Sequence, residues 1–140
     1  MRRLSIVAAL VCCSALAWPD ARQDYVLNCM GCHLPDGAGQ PPAVPRLKDR
    51  VGYYLTIPQG RGYLVQVPGA ANSLLDDRAL AAVLNWIVDE YAGPSRPASF
   101  MPFDAEQVAA YRRARPDDID ALRHALTAQI ERSHPVAEVR

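Results

Sequence analysis

Cys29-Met30-Gly31-Cys32-His33 is the stretch on which the reading of this chain turns. Thiols three positions apart on a helix end lie on one face, and the imidazole of the next residue follows them. Several chemistries use paired cysteines at this spacing. A redox disulfide belongs with strand–helix alternation, and no such pattern surrounds residues 29 to 32. A structural zinc site needs four ligands at characteristic spacing, whereas beyond these thiols the body of the chain has only His33, His124 and His134 to offer. A disulfide across two intervening residues closes too small a loop to stabilise much. The arrangement C-x-x-C-H matches covalent attachment of haem, with Cys29 and Cys32 each adding to a vinyl group and His33 as proximal ligand to iron.

The chain upstream fits that chemistry. Arg2-Arg3 precede an apolar run from Leu4 to Ala17, and Ala15-Leu16-Ala17 supplies small residues before Trp18, the layout of a cleaved secretory signal over 1–17. Its fourteen residues fall short of the roughly 20 that cross a bilayer, so a retained anchor is the lesser reading and no later segment is apolar enough to span. Cys12 and Cys13 leave with the signal. Export places the mature chain in the periplasm, where c-type haem is attached. Without Arg2 and Arg3 the balance is thirteen basic against fifteen acidic residues, which argues against a nucleic-acid binder relying on bulk charge.

Further residues carry a resemblance to the class I cytochrome c family. Tyr25 lies four residues before Cys29, and the small Ala21 four before that. Leu34 to Gly39 reads as the glycine-rich turn after the motif, and Pro45-Arg46-Leu47 falls twelve residues beyond His33. The resemblance implies an N-terminal helix packed against a C-terminal one, and a Pro45 carbonyl accepting from the Nδ1–H of His33, a bond that orients the ring. It implies an all-α fold: a small helical domain over 18–115 wrapped around one covalently attached haem c. An extra helix would follow in 116–140.

Seven of the eight glycines fall between Gly31 and Gly69, with Pro41, Pro42, Pro45, Pro58 and Pro68 among them, so 34–72 is expected as loop and short turns around the haem. Tyr53, Tyr54, Leu55 and Tyr63 would cover it, with Arg61 a candidate for a haem propionate. Leu80, Val83, Leu84, Ile87, Val88 and Tyr91 stripe a helix over 76–91, which Gly93-Pro94 ends. Asp104, with Gln107 three on, opens a helix to about Arg115, and Ile119, Leu122, Leu126 and Ile130 stripe a last one.

The resemblance implies a methionine as sixth iron ligand, and two registers are open. If 76–91 is the family's C-terminal helix, the ligand's Met-Pro pair falls on Val67-Pro68, and valine binds no iron. If 104–115 is that helix, Phe100-Met101-Pro102-Phe103 is the ligand loop. Met1 leaves with the signal and Met30 lies inside the motif, so Met101 is the candidate distal ligand; His124 or His134, or an open site, are the alternatives. A filled site makes a carrier of single electrons, and an open one a gas or peroxide sensor or a haem enzyme. No acid–base pair is evident near Val67, which favours the carrier. The resemblance implies redox partners: a periplasmic dehydrogenase as donor, and an oxidase or another cytochrome as acceptor. Arg46, Lys48 and Arg50 are positioned to steer an acidic one.

Overall fold

The computed structural model describes residues 20–134; the expected signal 1–17 lies outside them. Among the described residues the chain is helical without a sheet, its one extended pairing being an isolated bridge between Gln40 and Val44. The all-α expectation holds.

Asp20 caps α1 (Ala21–Asn28), its carboxylate accepting from the backbone N–H of Arg22 at 3.0 Å and of Gln23 at 3.4 Å. Cys29 departs from helical geometry at φ −126°, and α2 (Met30–His33) follows at once. The ladder survives this kink. Cys29 N–H donates to the Tyr25 carbonyl at 2.8 Å, and His33 N–H to the Cys29 carbonyl at 3.0 Å.

Tyr25 is buried where α1 crosses α6 (Asp77–Tyr91), its ring 5.0 Å from that of Trp86 and 5.4 Å from that of Tyr91. Its hydroxyl donates to the Leu34 carbonyl at 2.7 Å, and the Tyr91 hydroxyl donates to the Pro35 carbonyl at 2.9 Å. Leu34 has φ 65°, a left-handed conformation that is costly for a leucine. The two tyrosines therefore hold the helix crossing and the strained exit of the motif together.

Asp76 caps α6, accepting from Ala79 N–H at 2.7 Å, and the helix runs as its stripe predicts. Its apolar residues feed two cores. Val83, Ile87, Val88 and Tyr91 join Tyr25 and Val51 in the first. Leu80, Ala81 and Leu84 join Val65, Phe103 and Val108 in the second. Each larger aliphatic side chain so buried contributes roughly 1.5–3 kcal/mol, which makes α6 the axis of the molecule.

The glycine- and proline-rich stretch holds three short helices, α3 (Val51–Tyr54), α4 (Gly60–Gln66) and α5 (Pro68–Ala71). The punctuation there opens helices rather than forbidding them. Pro68 occupies the first turn of α5, where its missing N–H costs nothing. α7 (Ala105–Arg113) starts at Asp104, which accepts from Gln107 N–H at 2.8 Å. The Gln107 side chain turns to Arg61 instead, accepting from its guanidinium at 2.9 Å. α8 (Ile119–Ser133) buries Leu126 and Ile130 and packs on α3 and α4. No helix among the described residues is long and apolar enough to cross a membrane.

Candidate functional site

A cavity of about 290 Å³ opens beside α2. Cys29, Cys32 and His33 line it, together with Pro45 to Leu47 from the following loop. Tyr54, Tyr63, Leu64, Val67 and Pro68 come from α3 to α5, Val83, Leu84 and Ile87 from α6, and Arg123 from α8. Residues from nearly the whole described chain meet here, and most of what they present is apolar.

Local backbone geometry decides the proximal part. Cys29 and Cys32 are free thiols on consecutive turns, the first half-buried and the second exposed. His33 Nδ1 lies 3.2 Å from the Pro45 carbonyl oxygen. That carbonyl is set by the turn before it. Gly39 has φ 66°, and a Cβ there would stand 2.6 Å from the Pro45 oxygen, so only glycine lets the two arms of the loop close. Gly39 N–H in turn donates to the His33 carbonyl at 3.0 Å.

Burial holds the His33 imidazole below its usual range, against the opposing pull of the Pro45 carbonyl. The ring is thus neutral at neutral pH, and with Nδ1–H directed to Pro45 its Nε2 keeps a free lone pair. Burial also pushes the Cys29 thiol up to about 11, with the negative field of Asp24 adding to it. The donor set fits a c-type haem: two unpaired thiols on one helical run, a neutral imidazole after them, and apolar walls for a flat hydrophobic macrocycle.

The structure does not bring two of the expected residues to this cavity. Met101, the expected distal ligand, is 71% exposed and lines a separate depression with Arg61, Phe100 and Gln107. The reason lies on either side of it. Phe103 is buried in the second core, and Asn85 of α6 clamps it, accepting from Phe103 N–H at 2.7 Å and donating to its carbonyl at 2.9 Å. With Phe103 pointing in, Met101 points out. Arg61, the expected propionate partner, is committed to the same loop. Its guanidinium donates to the carbonyls of Met101 at 2.7 Å and Pro102 at 2.9 Å and lies 4.0 Å over the Phe103 ring.

The packing of α1 on α6 decides between the two registers, since α6 is the helix that meets the N-terminal one. The Met-Pro position of the family then falls on Val67-Pro68, and both line the cavity. Of the expected aromatic cover, Tyr54 and Tyr63 reach the cavity. Tyr53 instead stacks on His134 at 4.1 Å, and Leu55 packs against the cores. His124 is exposed.

One cavity residue escapes a reading of the sequence. Arg123 donates from Nε to the Tyr63 hydroxyl at 3.2 Å and has Asp120 at 3.6 Å, its side chain 24% exposed. The signal is present in the pattern. Position 123 lies four residues after Ile119 and three before Leu126, inside the apolar stripe of α8, where an arginine is out of place unless it has something to meet.

No family model matches the chain. Two curated proteins are similar to it, both called cytochrome c-552 and both from Thermus thermophilus. One is 32% identical over 130 residues, covering 80% of this chain and 87% of the relative. The other is 33% identical over 103 residues, covering 61% and 79%.

Proposed function

The chain belongs to the class I c-type cytochromes, mono-haem carriers of electrons with covalently bound haem c, and on that premise we propose an exported carrier whose haem is held by Cys29, Cys32 and His33. The bound group supplies a one-electron iron couple. We assign its domain to 18–115, and the described part of the segment that follows, 116–134, closes over it. The observation that carries this assignment is the approach of His33 Nδ1 to the Pro45 carbonyl, which leaves Nε2 unprotonated beside two free thiols.

The chain's own residues do the rest. Cys29 and Cys32 would hold the group through thioether bonds to its vinyl substituents, an S–H addition that needs no oxidant. Pro45 fixes the ring plane of His33 and raises its basicity. The walls from α4 and α6 exclude water, which disfavours the more highly charged oxidised state and raises the potential. Arg123, rather than Arg61, would hold a haem carboxylate, because it is the cation that the distant part of the chain contributes to the cavity.

The partners are proteins met in the periplasm: a dehydrogenase as donor, and an oxidase or a second cytochrome as acceptor. Arg46, exposed on the cavity rim beside Lys48, steers an acidic face toward it. Two measurements test the reading. The mature chain should begin at Trp18 and carry one covalent haem with a reversible one-electron wave. Its reduction by a partner dehydrogenase should slow as salt rises; a salt-independent rate would remove the arginine–lysine rim from the encounter, and an unsplit leader would remove free diffusion in the periplasm.

A further inference from the structure

We propose that the wall contributed by α4 and α5 leaves the sixth position of the iron open to a small neutral diatomic ligand, of the carbon monoxide or nitric oxide class. This rests on the mono-haem reading above and adds a binding activity to electron transfer.

Three observations carry it. First, the residue at the family's ligand position is Val67, which lines the cavity and has no atom that binds iron. Second, every methionine and histidine able to replace it is held elsewhere among the described residues. Met101 faces solvent, its loop clamped by Asn85 and Arg61. Met30 belongs to the attachment motif and packs against the first core. His124 is exposed, and His134 is stacked on Tyr53 with the rings 11° from parallel. The sequence outside the described residues contains no histidine, and its one methionine heads the expected signal.

Third, the two phenols that reach the cavity are engaged. The Tyr54 hydroxyl pairs with Thr127 Oγ1 at 3.1 Å, and the Tyr63 hydroxyl accepts from Arg123. Burial also holds Tyr63 above the usual phenol range, against the phenolate that would be needed to ligate. The part of the cavity wall between α4 and α6 is aliphatic: Leu64, Val67, Leu80, Val83 and Leu84. Those five side chains offer no hydrogen bond to an anion or to water, the guanidinium of Arg123 and the phenols of Tyr54 and Tyr63 being contributed by α8, α3 and α4 beside them. Burying an unpaired charge against that aliphatic part is costly. A neutral diatomic molecule carries no such penalty. The same clamp that turns Met101 outward is therefore what keeps the site available.

The test uses the exported, haem-loaded chain, with carbon monoxide as the probe and Met101→Ala beside the wild type. The oxidised wild type should give a high-spin absorption and resonance signature, and the reduced form should shift its spectrum on adding carbon monoxide. Met101→Ala should give superimposable spectra and carbon monoxide affinity within about twofold of wild type, since it changes an exposed side chain away from the iron. A low-spin wild type with a sulfur-to-iron band and no response to carbon monoxide would overturn the proposal. So would a response gained only in Met101→Ala. A chain that carries no covalent haem would bring down the mono-haem reading with it, whereas a reversible carrier blind to carbon monoxide would bring down this proposal alone.

Discussion

The two sides of the cavity are built in different ways. The proximal side is local: Cys29, Cys32, His33 and Pro45 span seventeen residues, and hydrogen bonds between near neighbours set their geometry. The other side is assembled from α4, α5, α6 and α8, over positions 63 to 123. A local site tolerates change in the body of the protein so long as its own turn closes. An assembled one depends on how distant helices dock, and a single clamp such as Asn85 on Phe103 can decide which side chain it receives. That contrast is what would let the chain keep the family's attachment chemistry while differing, as proposed above, at the iron's other face.

The strongest way to break the comparison is to remove the local side altogether. Cys29→Ser with Cys32→Ser should abolish covalent haem, read by haem staining after denaturation, while Arg123→Leu should leave attachment intact. Equal loss in both would mean that the assembled wall is needed for attachment too. Next in size is Val67→Met, which places a thioether at the family's ligand position beside Pro68. It should raise the reduction potential by on the order of 100 mV and suppress the carbon monoxide response. An unchanged potential would mean that the α4–α5 wall does not face the iron.

Two smaller effects compare how firmly each side is held. Leu126→Ala opens a void where α8 docks and should cost about 2–5 kcal/mol of stability in denaturant unfolding of the haem-loaded chain. It should also expose the cavity, so that a reductant in solution reaches the haem faster. Tyr25→Phe removes one hydroxyl and leaves the Leu34 carbonyl with only the longer bond from Gly37 N–H at 3.3 Å, a loss of about 0.5–1.5 kcal/mol. A Tyr25→Phe cost larger than that of Leu126→Ala would reverse the ranking of the two sides.

Much of the fold is legible in the order of residues. The stripe of α6 and the caps at Asp76 and Asp104 place their helices almost to the residue, because periodicity and capping are properties of a few neighbouring positions. The stretch 34–72 reads as loop, and three helices stand in it. Each is at most seven residues long, below the length at which periodicity separates from noise, and each is stabilised by what it packs on. Gln107 reads as half of a capping box, whereas its side chain is drawn to Arg61, forty-six positions away.

The C-x-x-C-H motif, the approach of its histidine to Pro45 and the helical class are written in the sequence itself. They rest on spacing along the chain, and spacing survives translation into structure wherever hydrogen bonds join near neighbours. The destinations of Met101, Arg61 and Arg123 belong to tertiary structure. A Met-Pro pair before a capped helix looks the same whether its methionine faces iron or water, and an arginine in a glycine-rich loop looks free. Only the burial of Phe103 against α6, and the docking of α8 across α4, turn the first two away from the cavity and carry the third into it. Each of these is a competition between side chains far apart in sequence for the same buried space, and no local pattern records its outcome.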